Sequence, residues 1–454
     1  MRAIFLITVT SLLLSCNKTD NQYINFVNPF IGTGAHGHTF PGATNPFGMV
    51  QLSPDTRIEG WDGCSGYHYT DSIIYGFSHT HLSGTGIGDY CDLLLMPLNG
   101  KVCFDNGYKT DSLYNYTSTF KKDNEFSKPG FYQVLLDKYG IKCDLTTTKR
   151  VGVHQYEFSD TVNPAIILDL EHRDQLLDWE VSKTVDNEIL GKRISRSWAD
   201  EQHFYFCMQL SSDFEIIYNK TNEPTKAFIK LKSLDKSKVI VKVGVSTVSQ
   251  ENARENLIKE ASSWDFNGYV NSAQKKWDKE LSKIEVQSKN KKQKEIFYTS
   301  LYHTMIAPNL ISDINGQYRG TDLKINNSDE PVYTVFSLWD TFRSAHPLYN
   351  ALTKNFPTPN GYGRITLNYE KFLLDANGKP VRRYPRKFSA YDMEKDIQAL
   401  LAGESVPEET EAFKKSWREA KREAVKSEYA FKYNLNYYTA PDSMYKYEPL
   451  RDRA

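Results

Sequence analysis

Several things are scarce in these 454 residues. Net charge is absent, because 56 Lys and Arg balance 56 Asp and Glu. No global field therefore favours nucleic acid or an anionic membrane. Cysteine is sparse and one-sided: there are six, all before residue 208, with no CxxC pair. Setting Cys16 aside leaves Cys64, Cys91, Cys103, Cys143 and Cys207. That odd set argues against both a disulfide framework and a zinc site. Long apolar runs are missing beyond the first sixteen residues, so no later segment is suited to cross a bilayer. Internal repeats are missing too. What is plentiful is aromatic surface, with 29 Tyr, 24 Phe and 7 Trp. Such side chains pack cores, and they also suit flat polar ligands such as sugars, since each Tyr or Trp has an apolar face and a polar edge.

The first residues, "MRAIFLITVTSLLLSC", place a basic Arg2 before a short apolar stretch. That is the form of a signal peptide, too short for a membrane span. It ends in Leu13-Leu14-Ser15-Cys16, which looks like a lipobox. The expectation over 1–16 is cleavage before Cys16, acylation of its thiol and export to a Gram-negative envelope. Membrane contact is then expected only through the lipid anchor.

Residues 25–100 carry too many Gly and Pro for long helices and read as loops between short strands. From about 130 to 250 the period is two. Phe204, Phe206, Met208 and Leu210 alternate, as do Val239, Val241, Val243 and Val245, and Val151 and Val153 start another run. Strands without intervening helices predict an antiparallel β-sandwich over 25–250. Across 251–285 the period changes, with Leu257, Trp264, Trp277, Leu281 and Ile284 set among Lys and Glu, as in amphipathic linking helices. Phe297, Leu301 and Met305 predict one more helix before Pro308. Beyond 351, "KFLLDANGKPVRRY" predicts a hairpin around Asn377-Gly378, "YDMEKDIQALL" a short helix, and "SVPEETEAFKKSWREAKREAVKSEYAF" a charged helix with a capping box from Ser405 to Glu408.

A sugar site needs an aromatic face for ring C–H groups, and carboxylates or guanidinium groups for paired hydroxyls. "GWDGCSGYHY" offers Trp61 and Asp62 on a Gly-flanked loop, and "SLWDTFRSAHPLYN" offers Trp339, Asp340 and Arg343. Five of the ten His lie within 36–81. Neither His36-x-His38 nor His79-x-His81 has the ligand set or helical spacing of a zinc enzyme, so these read as hydrogen-bonded residues ordering Gly-rich loops. Cys64 and Cys91 read as packed thiols with no paired base.

Together with "VNPFIGTGAHGHTFPGATNPFGMVQLSPDT" and "GFSHTHLSGTG", these motifs give residues 27–350 a resemblance to glycoside hydrolase family 92, the calcium-dependent, inverting α-mannosidases. The resemblance implies a mutarotase-like β-sandwich, linker helices, and the start of a truncated α/α barrel over 251–350. It implies a mannose-containing glycan as ligand, with Trp61 reaching the sugar and Asp340 binding it beside the cleaved bond. Asp62 and Arg343 join them as candidate substrate-binding residues, Arg343 being equally suited to fixing Asp340 by a salt bridge.

Inverting glycosidases need two carboxylates about 6.5–9.5 Å apart. In the family, that pair and the calcium ligands come mainly from barrel loops downstream, with Gly-Asn-Glu and Asn-Asp-Asp motifs that 351–454 does not contain. The tail instead resembles the C-terminal part of a glutathione peroxidase, a thioredoxin-like α/β fragment. Asn368 and Tyr369 match the peroxidase pattern, while Leu367 takes the place of its Trp. Residues 352–454 contain no Cys, so no peroxidatic thiolate is available there. The chain thus reads as a chimera. Its expected function is α-mannosidase-like by descent and catalytically incomplete. A non-catalytic carbohydrate-binding protein and a peroxidase-like protein are the alternatives.

Overall fold

The computed structural model describes residues 23–334 apart from 111, 113, 185, 186 and 233, and then 341, 344–352, 371–374, 380–384, 393–408 and 414. The chain divides into two compact units, Met1–Val335 and Phe336–Ala454.

The first unit is dominated by two antiparallel sheets. One has seven strands in the spatial order Ala43–Thr44, Gln51–Asp55, Gly76–Ser78, Leu94–Asn99, Pro164–Asp169, Lys226–Leu231 and Phe214–Tyr218. The other has eight, in the order Gln175–Lys183, Glu188–Arg196, Gln202–Leu210, Lys238–Ser246, Val151–Phe158, Ile141–Thr147, Phe131–Leu136 and Glu125–Lys128. The alternation read from the sequence is the cause. Phe204, Phe206, Met208 and Leu210 are all buried, and so are Val239, Val241, Val243 and Val245. Between the sheets Phe77 stacks on Tyr156. A side chain also crosses there: His79 follows strand Gly76–Ser78, and its ring lies against Gly152 of the opposite sheet. A Cβ at Gly152 would stand 2.8 Å from that ring. The main fold expectation, a mainly β sandwich at the N-terminal end, is met.

Three helices follow: α1 (Gln250–Glu260), α2 (Phe266–Leu281) and α3 (Lys291–His303). Each starts at a side-chain cap, Ser249, Asp265 and Asn290 respectively, which satisfies amides that helix starts leave unpaired. α1 lies on the eight-stranded sheet, burying Ala253 and Leu257 against Val151, Val153 and Cys207. Gly244 permits this approach, since a Cβ there would be 2.3 Å from the Ala253 carbonyl oxygen. α2 is fixed by Trp277, fully buried, whose Nε1–H donates to the Thr44 carbonyl at 2.6 Å. Its ring meets that of Tyr302 on α3 at 4.5 Å. Two expected apolar positions differ. Trp264 lies between α1 and α2 and covers the Lys242 ammonium at 3.8 Å, and Ile284 lies past the end of α2. Buried Asp313 ties α1 to the chain that follows α3: its carboxylate accepts from Ser246 Oγ, Asn252 Nδ2 and Asn256 Nδ2.

In the second unit the hairpin is present, Lys371–Leu374 against Pro380–Tyr384, and so is the short helix, Glu394–Leu401. Asp396 of that helix accepts from Arg382 and Tyr384 of the hairpin. Most of the charged helix expected after Ser405 lies outside the described residues.

Candidate functional site

Trp61 opens a short 3-10 turn, Trp61–Gly63, after Gly60, whose φ of 87° suits glycine. The indole is 56% exposed. Two rings hold it. His36 and His38 lie with centroids 4.9 and 4.3 Å away, the second edge-on. Both imidazoles converge on one atom: Asp62 Oδ1 is 2.7 Å from His36 Nδ1 and 3.4 Å from His38 Nε2. The His36 hydrogen bond, with His38 behind it, holds the Asp62 carboxyl below its ordinary range. Asp62 therefore braces the loop that presents Trp61.

Trp61 overlooks a cavity of about 500 Å³, lined among others by Cys64, Gly86, Gly88, His172, Arg173 and Asp174. The "GTGIG" stretch lies close over this wall. A Cβ on Gly86 would be 2.6 Å from Trp61 Nε1, and one on Gly88 would be 2.6 Å from Arg173 Nη2. Arg173 is itself fixed, donating from Nη1 to the Gly63 carbonyl at 2.9 Å and to Cys91 Sγ at 3.3 Å. Asp174 has φ 65° and a buried Oδ2 without a hydrogen-bond partner. Burial pushes its carboxyl up to about 6, against the nearby Arg193 and Arg173 guanidinium groups. The cavity is thus lined by an aromatic face, a guanidinium and a carboxyl group, the kinds of group a sugar needs. The motif reading reached Trp61 and Asp62 but missed Arg173 and Asp174. They sit in "EHRD", where nothing in the spacing points to a ligand. A separate hollow of about 410 Å³ beside Glu260, Asp265 and Lys276 contains none of the motif residues.

Behind the cavity wall lies a buried polar cluster. His81 Nε2 is 3.0 Å from Asp55 Oδ1, and its Nδ1–H donates to the Gln51 carbonyl at 2.8 Å. Burial works against charge at both residues, yet mutual attraction prevails. Cys91 and Asp55 carry the His81 imidazole up to about 10, while His81 and His172 hold Asp55 far below the usual carboxylate range. Cys91, expected to be a packed thiol without a base, has His81 and Arg173 at its sulfur. His79 faces another way. Its Nδ1–H donates to the Leu93 carbonyl and its Nε2 meets His154 Nε2 at 3.1 Å, while Tyr156 Oη is 2.7 Å from His154 Nδ1. Burial lowers both imidazoles, His79 to about 4. His79 and His81 thus serve different partners, whereas His36 and His38 share Asp62.

Cys16, Asp340, Arg343 and Asn368, each singled out in the sequence, lie outside the described residues. Calcium takes about six to eight oxygen ligands. Among the described residues, the place where three His, Cys, Asp or Glu donors converge is Asp55, His81 and Cys91. A thiolate and an imidazole do not fit calcium.

Comparison with known proteins gives two kinds of match. Residues 26–246 match the glycosyl hydrolase family 92 N-terminal domain and residues 252–357 the glycosyl hydrolase family 92 catalytic domain. A solved family GH92 alpha-mannosidase from Bacteroides thetaiotaomicron superposes with TM-score 0.68 at 35% identity, over 72% of this chain and 47% of that one. An uncharacterized secreted glycosidase of Arthroderma benhamiae is 25% identical over 374 residues, 71% of this chain and 46% of its own length. The second kind is short: glutathione peroxidase 1 of Mus musculus is 35% identical over 95 residues, 17% of this chain and 47% of that protein. The chain spans about half the length of the relatives it matches.

Proposed function

The chain belongs to glycosyl hydrolase family 92, and on that premise we propose that it recognises the mannose end of an α-mannoside without hydrolysing it. The observation that carries the reading is Trp61, half exposed over the cavity and braced by His36, His38 and Asp62. Its indole receives the apolar face of the sugar ring. Arg173 and Asp174 line the same cavity as groups for paired hydroxyls, while Asp340 and Arg343 are sugar-binding candidates through the family likeness alone. One solved family GH92 alpha-mannosidase from Bacteroides thetaiotaomicron is a complex with mannoimidazole, which supports a mannose-type ligand. Hydrolysis needs an acid for the leaving oxygen and a base for the water. The family motifs for that pair and for calcium are not found in 351–454. Calcium would supply charge to the sugar hydroxyls, and no role for the residues named above runs through it.

The signal and lipobox support an exported, lipid-anchored protein. The division into a sandwich over 25–250, linker and barrel start over 251–350 and a tail from 351 belongs to the same proposal. So does a thioredoxin-like ancestry for that tail, supported by the peroxidase likeness. Calorimetric titration of the full chain with mannobiose tests the main claim. We expect millimolar binding that falls about tenfold in Trp61→Ala, the loss of one good stacking contact. No heat at millimolar sugar removes the binding claim. Calcium-dependent turnover of an aryl α-mannoside by the pure chain removes the claim of incompleteness.

A further inference from the structure

We propose that Asp55, His81 and Cys91 form a buried zinc-binding site beside, and separate from, the sugar cavity. Asp55 closes strand Gln51–Asp55, His81 follows strand Gly76–Ser78, and Cys91 precedes strand Leu94–Asn99, so adjacent strands deliver all three. Each is at most 1% exposed. Their donor atoms lie within 4.8 Å of one another. Donors around tetrahedral zinc, at bonds of about 2.0–2.3 Å, stand roughly 3.3–3.8 Å apart, so small shifts suffice. One carboxylate, one imidazole and one thiolate make a donor set that suits zinc and not calcium or magnesium.

Three further observations point to a ligand. The first is room kept empty of side chain. Gly66, at φ 77°, sits where a Cβ would be 2.3 Å from Asp55 Oδ1, 2.9 Å from His81 Cδ2 and 3.0 Å from Cys91 Sγ. The second is unmet polarity. Asp55 Oδ2 and both ring nitrogens of buried His172 lack an aligned hydrogen bond, although His172 Nε2 is 3.1 Å from that oxygen. Carboxylates that ligate a metal are themselves hydrogen-bonded, and His172 stands against the second Asp55 oxygen, where such an outer partner would be. The third is preparation of the ligands. The His81 Nδ1–H is held by the Gln51 carbonyl, which turns Nε2 inward, and Arg173 donates to the Cys91 sulfur, which fixes where that sulfur points. His172 and Arg173 also line the 500 Å³ cavity, which supplies an entry path. This revises the reading of the thiols and of His81 made from spacing. Spacing along the chain cannot reveal ligands brought together from positions 55, 81 and 91.

The test uses the full chain, loaded with zinc chloride, dialysed against metal-free buffer and assayed for zinc by atomic emission. One zinc per chain is expected, with thermal stability that falls on chelation and returns on zinc addition. Cobalt(II) in its place should give near-ultraviolet thiolate-to-metal absorption. Cys91→Ala should abolish that absorption, and His172→Gln should weaken zinc binding about 10–100-fold. The chelation arm needs no variant, so a misfolded mutant cannot hide the answer. Wild-type protein that retains no zinc, or zinc and cobalt absorption unchanged in Cys91→Ala, overturns the site and leaves a buried ion pair only.

Discussion

Removing the Trp277 ring tests whether the helices after the sandwich are part of it. The indole is fully buried, donates to the Thr44 carbonyl at 2.6 Å and packs on Tyr302. In Trp277→Ala the lost contacts and the cavity cost about 3–5 kcal/mol. The Thr44 carbonyl, deprived of its donor, adds about 1–3 kcal/mol. The two terms share atoms and do not add fully, so about 4–6 kcal/mol is expected, against a typical total of about 5–15 kcal/mol. Trp277→Phe loses the donor and only part of the ring, so its cost should fall between the hydrogen bond alone, about 1–3 kcal/mol, and the full Trp277→Ala loss. Trp264→Ala is the control. That ring is 41% exposed and covers Lys242, so its removal should cost under about 1 kcal/mol. Urea unfolding of the full chain, followed by circular dichroism of the β-sheet signal, measures all three. A Trp277→Ala loss below about 2 kcal/mol would sink the reasoning, because α2 would then melt without the sheets noticing.

Two other outcomes follow from the packing. Gly244→Ala places a methyl 2.3 Å from the Ala253 carbonyl oxygen and 2.6 Å from Leu257 Cβ, so α1 must lift from the sheet. The expected cost is about 2–4 kcal/mol in the same urea assay, and a neutral result would show that α1 moves freely. Burial holds the His303 imidazole down to about 4, below its unfolded value of about 6.5. Its stabilising share is present above pH about 6.5 and lost as pH falls towards 4; partial exposure of the ring limits that share to about 1–2 kcal/mol. His303→Phe should flatten the acid limb of a plot of urea midpoint against pH.

The sheets were readable because their signal is local. Alternation at 204–210 and 239–245 needs only a period of two, and every one of those side chains is buried as expected. Helix starts were half readable. The period change after 250 is real, yet Trp264 and Trp277 look alike in sequence and do opposite things, one capping a lysine and one filling the core. The difference lies in where the chain leaves α1, which no period encodes. Trp61 was found through its motif, but its bracing by His36 and His38 arises from loop geometry, including φ of 52° at His38. Asp174 was missed, and the partners of the Cys91 sulfur were not foreseen, for a related reason. Both carry unusual environments assembled from distant strands, and both have positive φ, a state their residue types do not announce.

The file of side chains from Tyr156 through His154 and His79 to the Leu93 carbonyl has a mechanical consequence. Apolar faces tolerate sliding, since one methyl serves nearly as well as the next. A hydrogen bond does not, because its strength falls off within a fraction of an ångström and a few tens of degrees. A chain of such bonds running from one sheet into the other, with Gly152 cleared to let a ring through, acts as a dowel. It sets the lateral alignment of the two layers while contributing no charge of its own. The loops that carry Trp61 and Cys91 spring from one of those layers, so their placement over the other is inherited from that pin.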